Sequence, residues 1–383
     1  MIQTSHDNTR KRRSCGGSRT DLRFAFTPAL LREPLLTWYQ GVRRDLPWRV
    51  LWREHADPYH VWVSEIMLQQ TVIKAVIPVY QRFLERFPDV AALAQASEEE
   101  IRQAVRGLGY YRRFRLMHAA ARELIQRGEE WPQTFALWKE LPGIGDYTAA
   151  AISSIAFDQP AAVVDGNVER VFCRLLDLRE APNEPRLKRA FKELANEFLD
   201  TRHPGDFNQA LMELGQTVCT VSTPACTACP LTSGCLAAAR GSQALAPAPK
   251  PQAQLVDVPL ELVILQCGNK VGLYERPATA RFLKGTWGFW TRLEQGGVYG
   301  RDGAAETALP AGITVPRPVG RVRHSITRHR ISASVYTAEL KSKSKGAPDI
   351  RWLAPADVEE HLVSNLDRKA WHLYQASATY QIV

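Results

Sequence analysis

The sequence predicts a mainly α-helical domain followed by a smaller α/β domain. Three observations carry this. From Thr27 to about Ala239, apolar residues recur at helical spacing and no strand-like alternation interrupts them. Residues 241–258 then change texture, with Pro247, Pro249 and Pro251 among Ala and Gln, as in a semi-extended linker. Beyond it, Leu260–Gln266 and Ile331–Leu340 are rich in β-branched residues, and 355–377 return to helix. The expected division is a disordered basic tail over 1–25, a helical domain over 26–240, a linker over 241–258 and a second domain over 259–383.

Composition bounds the function. The 383 residues are 45% hydrophobic and 23% charged, which excludes a fibrous or wholly disordered chain. Lys and Arg number 49 against 40 acidic residues, a net charge of +9 that favours a polyanionic partner. No apolar run is long enough to span a membrane. The basic run Arg10–Arg13 is followed by no apolar stretch, so no secretory signal is expected, and the cytoplasm is the expected compartment.

Taken in order, Thr27 followed by Pro28 reads as a helix N-cap with proline at the first helical position. Ser97 with Glu100 forms a capping box, and Gly107 marks a stop. Further helices fit 59–70, 111–127, 145–156, 166–178, 185–200 and 206–218. Leu141-Pro142-Gly143-Ile144-Gly145 joins two of them. Its glycines permit positive φ and close approach, and the free amides of the next helix can hold a phosphate.

Four of the seven cysteines crowd into one loop, Cys219, Cys226, Cys229 and Cys235. Such clustering points to a metal or cluster site in a reducing compartment rather than a disulfide framework. Four thiolates suit a structural zinc. A single Cys-x2-Cys pair, however, fits one compact loop around a cube-shaped cluster better than two zinc knuckles.

Two carboxylates stand out. Glu65 has Val61, Trp62, Leu68 and Gln69 as its helical neighbours, so it lies on a largely apolar face. Desolvation there favours the protonated form, as a general acid requires. The alternative is a buried glutamate satisfied by an arginine. Asp165, in Val164-Asp165-Gly166-Asn167-Val168, reads on its own as a helix N-cap or a turn aspartate.

Five segments in order carry a resemblance. They are Val61–Thr71, Gly107–Arg112, the Leu141–Gly145 hairpin, Val164–Val168 and the cysteine loop. Together they resemble the MutY-type adenine glycosylases of the helix-hairpin-helix, iron–sulfur DNA glycosylase family. The match spans roughly 30–240. The resemblance implies a helix-hairpin-helix glycosylase fold with a [4Fe–4S] loop and a smaller α/β Nudix-like C-terminal domain. It implies a monomer that flips adenine out of duplex DNA, opposite 8-oxoguanine or guanine, and hydrolyses its N-glycosidic bond. Flipping is required because that bond is unreachable inside the stack.

It also implies roles. Glu65 would protonate the base, and Asp165 would stabilise the cationic sugar by charge or transient covalent attachment, a division of labour known from glycoside hydrolysis. Tyr147 and Asn167 would assist around the sugar and aspartate. Gln69, Gln70 and Tyr110 would probe or wedge the duplex. Arg49 would line the base pocket, and Gly143 and Gly145 would grip the backbone. Cys219, Cys226, Cys229 and Cys235 would hold the cluster. Arg112, Arg113 and Arg115 would add phosphate contacts or form a solvated charge run.

Strand-cleaving relatives carry a lysine where this chain has Tyr147. A phenol cannot form the imine, so a monofunctional enzyme is expected. Lys270–Pro277 and Gly285–Phe289 resemble the lesion-reading C-terminal domain of the family, whose recognition loop reads close to Phe-Ser-His. Here the stretch is Ile326-Thr327-Arg328, so only the hydroxyl of Thr327 is kept and lesion discrimination is in question. The competing readings are a thymine glycosylase acting on G·T mismatches and a non-catalytic, cluster-bearing damage sensor.

Overall fold

The computed structural model describes residues 22–24, 26–50, 57–128, 130–182, 184–249, 254–277, 285–293, 309–326, 328–340 and 350–379. The basic run Arg10–Arg13 lies outside them. Helices come first. They are α1 (Ala29–Val42), α2 (Pro47–Val50), α3 (Pro58–Leu68), α4 (Ile73–Arg86), α5 (Val90–Gln95), α6 (Glu98–Ala104) and α7 (Arg112–Gln126). Then follow α8 (Phe135–Lys139), α9 (Asp146–Phe157), α10 (Gly166–Leu175), α11 (Pro185–Phe198), α12 (Pro204–Thr217) and α13 (Leu236–Ala239). The strands are β1 (Val256–Cys267), β2 (Lys270–Glu275), β3 (Trp287–Gly288), β4 (Trp290–Leu293), β5 (Arg317–Ile326), β6 (His329–Glu339) and β7 (Ile350–Leu353). Helices α14 (Val358–His361) and α15 (Asn365–Thr379) close the chain. No helix among the described residues is long and apolar enough to cross a membrane.

The chain forms two compact units, one of residues 1–43 with 158–249, the other of 44–157 with 250–383. The first unit is built on an aromatic core. Phe172 of α10 packs near Phe191 and Phe198 of α11, and Phe198 meets Phe207 of α12 edge-on at 5.1 Å. Phe24 joins this core against Phe172 and Phe198, so order begins inside the segment expected to be a tail. Burying two more rings outweighs the entropy of ordering the residues that carry them.

In the second unit, α3 packs on α9, and Trp62, Trp131 and Trp138 gather under α3. The mixed sheet of the same unit runs β3-β2-β1-β6-β5, with β4 paired to β1 and β7 to β2. Strands β1 and β6 pair in parallel, Leu262 opposite Val335, and the other named pairs are antiparallel. Leu262, Leu273, Phe289 and Val335 form its core with Trp371 of α15.

Three local expectations change. The N-cap position of α1 falls on Pro28, at helical angles and without a side-chain cap bond, so Thr27 does not cap through its side chain, and its carbonyl closes a tight turn with the Leu30 amide. The stretch expected as linker is structured at both ends. Ala246 is buried, and β1 begins at Val256. The C-terminal helix is broken at 362–364, where the Ser364 hydroxyl accepts from the Leu366 and Asp367 amides and restarts the chain as α15. The Ser97–Glu100 capping box is present as read.

Candidate functional site

Helix α3 starts cleanly. Asp57 caps it by accepting from the Tyr59 amide at 2.8 Å, with Pro58 at the first position. Val61 through Met67 are all buried, so α3 is apolar on every side. Glu65 sits within that run at 7% exposure, one turn from the fully buried Trp62. The carboxyl is therefore buried, as its place in the helical pattern implies.

Past Leu68 the chain turns outward. Gln69 is half-buried, and its Nε2 donates to Thr148 Oγ1 of α9 at 3.4 Å. Gln70 is exposed and held at φ 55. The next helix pair, α8 and α9, meets at the hairpin. Gly143 has φ 79, and a Cβ there would lie 2.7 Å from Leu116 Cβ, so only glycine fits. Gly143 and Gly145 are both exposed, while Leu141 and Ile144 anchor the turn in the core. Lys139 pairs with Asp146 at the start of α9, and the half-buried Tyr147 follows in its first turn.

The segment 107–111 is the second outward loop. Gly107 and Gly109 have positive φ, and so does Tyr110, at 50°, with 47% of its surface exposed. Arg113, expected among the phosphate contacts or on a solvated face, is instead buried. Its guanidinium donates to the Met67 carbonyl at 2.9 Å and to the Gln69 carbonyl, and also to Thr71 Oγ1 at 2.9 Å and the Leu108 carbonyl at 3.4 Å. Burial pulls this guanidinium down to about 10. Arg112 and Arg115 stay exposed.

Asp165 belongs to the other unit. It caps α10, its Oδ1 accepting from the Asn167 and Val168 amides at 2.9 and 2.8 Å. Its Oδ2 accepts from Asn167 Nδ2 at 2.7 Å. The N-cap reading is correct as geometry, and the cap fixes where the carboxylate points. Asn167 is braced in turn by Arg170, which donates to Asn167 Oδ1 at 3.0 Å, to the Gly215 carbonyl at 2.6 Å and to the Cys219 carbonyl at 2.8 Å. A Cβ on Gly215 would fall 2.6 Å from Asn167 Cβ, so α12 carries glycine where the asparagine must sit. Sequence reasoning missed Arg170 and Gly215. The signal for Arg170 was its i,i+3 spacing from Asn167.

In the same unit, Cys219 is buried and Cys226, Cys229 and Cys235 are half-buried, and none forms a disulfide. Burial pushes the Cys229 thiol up to about 11, and charge on Cys219 and Cys235 adds to this. Arg174 Nη1 donates to Cys219 Sγ at 3.3 Å, and Gln243 Nε2 to Cys226 Sγ at 3.6 Å. Among the described residues, no group of three or more Cys, His, Asp or Glu is arranged around a single-ion position.

Arg49 is half-buried in α2, its Nη1 donating to the Arg44 carbonyl at 3.3 Å. Thr327 lies outside the described residues; Ile326 beside it lines a cavity of about 750 Å³ and Arg328 is exposed. Tyr110, Arg112, Arg115 and His324 line the same cavity.

Residues 63–197 match the family model for the HhH-GPD superfamily base excision DNA repair protein. The chain is 34% identical to the adenine DNA glycosylase of Rattus norvegicus over 90% of its own length and 78% of that protein's. It is likewise 34% identical to the adenine DNA glycosylase of Homo sapiens, over 90% of this chain and 74% of that one. Among solved structures, a thermostable thymine-DNA glycosylase superposes with a TM-score of 0.50 at 27% identity, covering 56% of this chain and 97% of its own. The chain therefore belongs to the adenine DNA glycosylase family of the HhH-GPD superfamily.

Proposed function

We propose that this chain removes adenine mispaired with 8-oxoguanine or guanine from duplex DNA and leaves an unbroken abasic strand. The observation that carries the reading is the contrast between two carboxyls. Glu65 is buried within α3, one turn from the buried Trp62, and Asp165 is held by three N–H donors at the mouth of a helix.

Glu65 protonates the flipped adenine, which departs as the neutral base, and then takes the proton of the water that adds to the sugar C1′. Asp165 faces the developing oxocarbenium charge on the sugar, its orientation fixed in advance by the α10 amides and Asn167. Such preorganisation contributes on the order of 10²–10³ in rate. Tyr147 stands at the start of α9 beside the sugar and offers a hydroxyl but no amine, so no imine forms and the strand stays whole. The exposed amides at Gly143 and Gly145 hold backbone phosphate without reading sequence. Gln70 and Tyr110 enter the stack, and Arg49 lines the base pocket. Cys219, Cys226, Cys229 and Cys235 would hold a [4Fe–4S] cluster, which supplies a rigid clasp for the loop that braces Arg170. Ile326, Thr327 and Arg328 face the lesion-bearing strand.

Likeness to a thymine-DNA glycosylase supports a second reading, thymine release from T·G. That likeness covers 56% of this chain, whereas the adenine glycosylase relatives cover 90%. Single-turnover excision on A·8-oxoguanine, A·G, A·C and T·G duplexes decides the matter. Adenine loss fastest opposite 8-oxoguanine supports the proposal. Equal rates opposite guanine mean the Ile326–Arg328 loop does not read the lesion. Thymine release overturns adenine specificity.

A further inference from the structure

Two exposed residues in the second unit hold backbone angles that side chains rarely adopt. They are Gln70 at φ 55 and Tyr110 at φ 50. They sit on separate loops, one following α3 and one preceding α7. Strained positions of this kind persist only where the surroundings over-determine them. Here one buried group supplies that constraint. The Arg113 guanidinium donates from Nη1 to the Met67 and Gln69 carbonyls, and from Nη2 to Thr71 Oγ1 and the Leu108 carbonyl.

We infer that Arg113 is the positioning residue that locks both DNA-facing tips, Gln70 and Tyr110, into one geometry for base extrusion. The inference rests on the DNA glycosylase reading above. Each nitrogen of the planar fork serves a different combination of acceptors, so neither loop relaxes without the other. The acceptors named, Met67, Gln69, Leu108 and Thr71, are carbonyls and a hydroxyl, with no carboxylate among them. A buried cation without an acidic partner brings little stability, so its value lies in ordering the loops it touches. Lysine cannot replace it, because a single ammonium on a flexible stem lacks the fork. Arg113 touches no substrate in this account; it acts through residues 67–71 and 108–110.

The experiment compares wild type, R113Q and R113K on two substrates. One is a fully stacked A·G duplex. In the other, the target adenine faces an abasic gap and is already unpaired. Unstacking is cheapest for a base that has lost its partner. Wild-type excision on both substrates establishes the glycosylase reading independently; no adenine release by wild type would sink that reading and not this one. A misplaced tip is expected to slow R113Q about a hundredfold on the stacked duplex. On the gapped substrate the loss is expected to stay below about threefold, since extrusion is no longer needed. 2-Aminopurine placed at the target should brighten on binding to wild type and stay quenched with R113Q. R113K should behave like R113Q, and being charge-conserving it keeps the test open if R113Q does not fold. Equal losses on the two substrates, full activity of R113K, or unchanged 2-aminopurine brightening would overturn the inference.

Discussion

The two candidate carboxyls, one in each unit, are built from opposite materials. Glu65 lies in the middle of a helix whose residues from Val61 to Met67 are all buried, and its setting is tertiary packing. Asp165 is the N-cap of α10, and its setting is local: two amides of its own helix and the side chain of Asn167. The difference teaches how one residue class performs two tasks. Packing that excludes water suits a proton donor, and a fixed array of N–H donors suits a group that must stay in place while charge develops beside it.

The comparison breaks most directly at Glu65. E65Q should keep the fold, since the amide fills the same space, and lower single-turnover excision about a thousandfold. DNA affinity by gel shift should hold. D165N is the sharper test, because asparagine caps helices as well as aspartate does. Excision is expected to fall by a factor on the order of 10²–10³, while thermal stability stays level. A fall in melting temperature with activity preserved would return Asp165 to a purely structural cap. N167A removes one donor of the three and is expected to cost about tenfold in rate, the scale of one hydrogen bond to a charged group.

The smallest effect belongs to a third carboxyl that serves as control. Glu100, half-exposed in its capping box, is held at about 2, chiefly by the Ser97 amide and hydroxyl and then by Arg86. A lowered carboxylate stabilises the fold above its ordinary value of 4.5 and loses that contribution as pH falls toward about 2. E100Q should therefore flatten the acid limb of the stability curve over that window and leave excision unchanged.

Much of the site was legible because its signals are local. The neighbours of Glu65 at i±3 and i±4 announce an apolar face, and Val164–Val168 announces a cap. What escaped was whatever depends on distant chain. Arg113 looks like its neighbours Arg112 and Arg115 in sequence, yet it is buried, because its acceptors come from residues 67–71 and 108. Gly215 is silent until Asn167 is seen against it. The extent of β1 was hidden because its first turn of residues follows a proline-rich run whose composition reads as linker.

In the proposed mechanism a buried Glu65 and a braced Asp165 act on one flipped adenine and leave the strand uncut. Single-turnover excision from an A·8-oxoguanine duplex, run for wild type and E65Q with and without alkali, tests it most directly. The account predicts adenine release by wild type, strand breaks only after alkali, and a rate about a thousandfold lower for E65Q. Equal rates for the two proteins, or strand breaks before alkali, would contradict it.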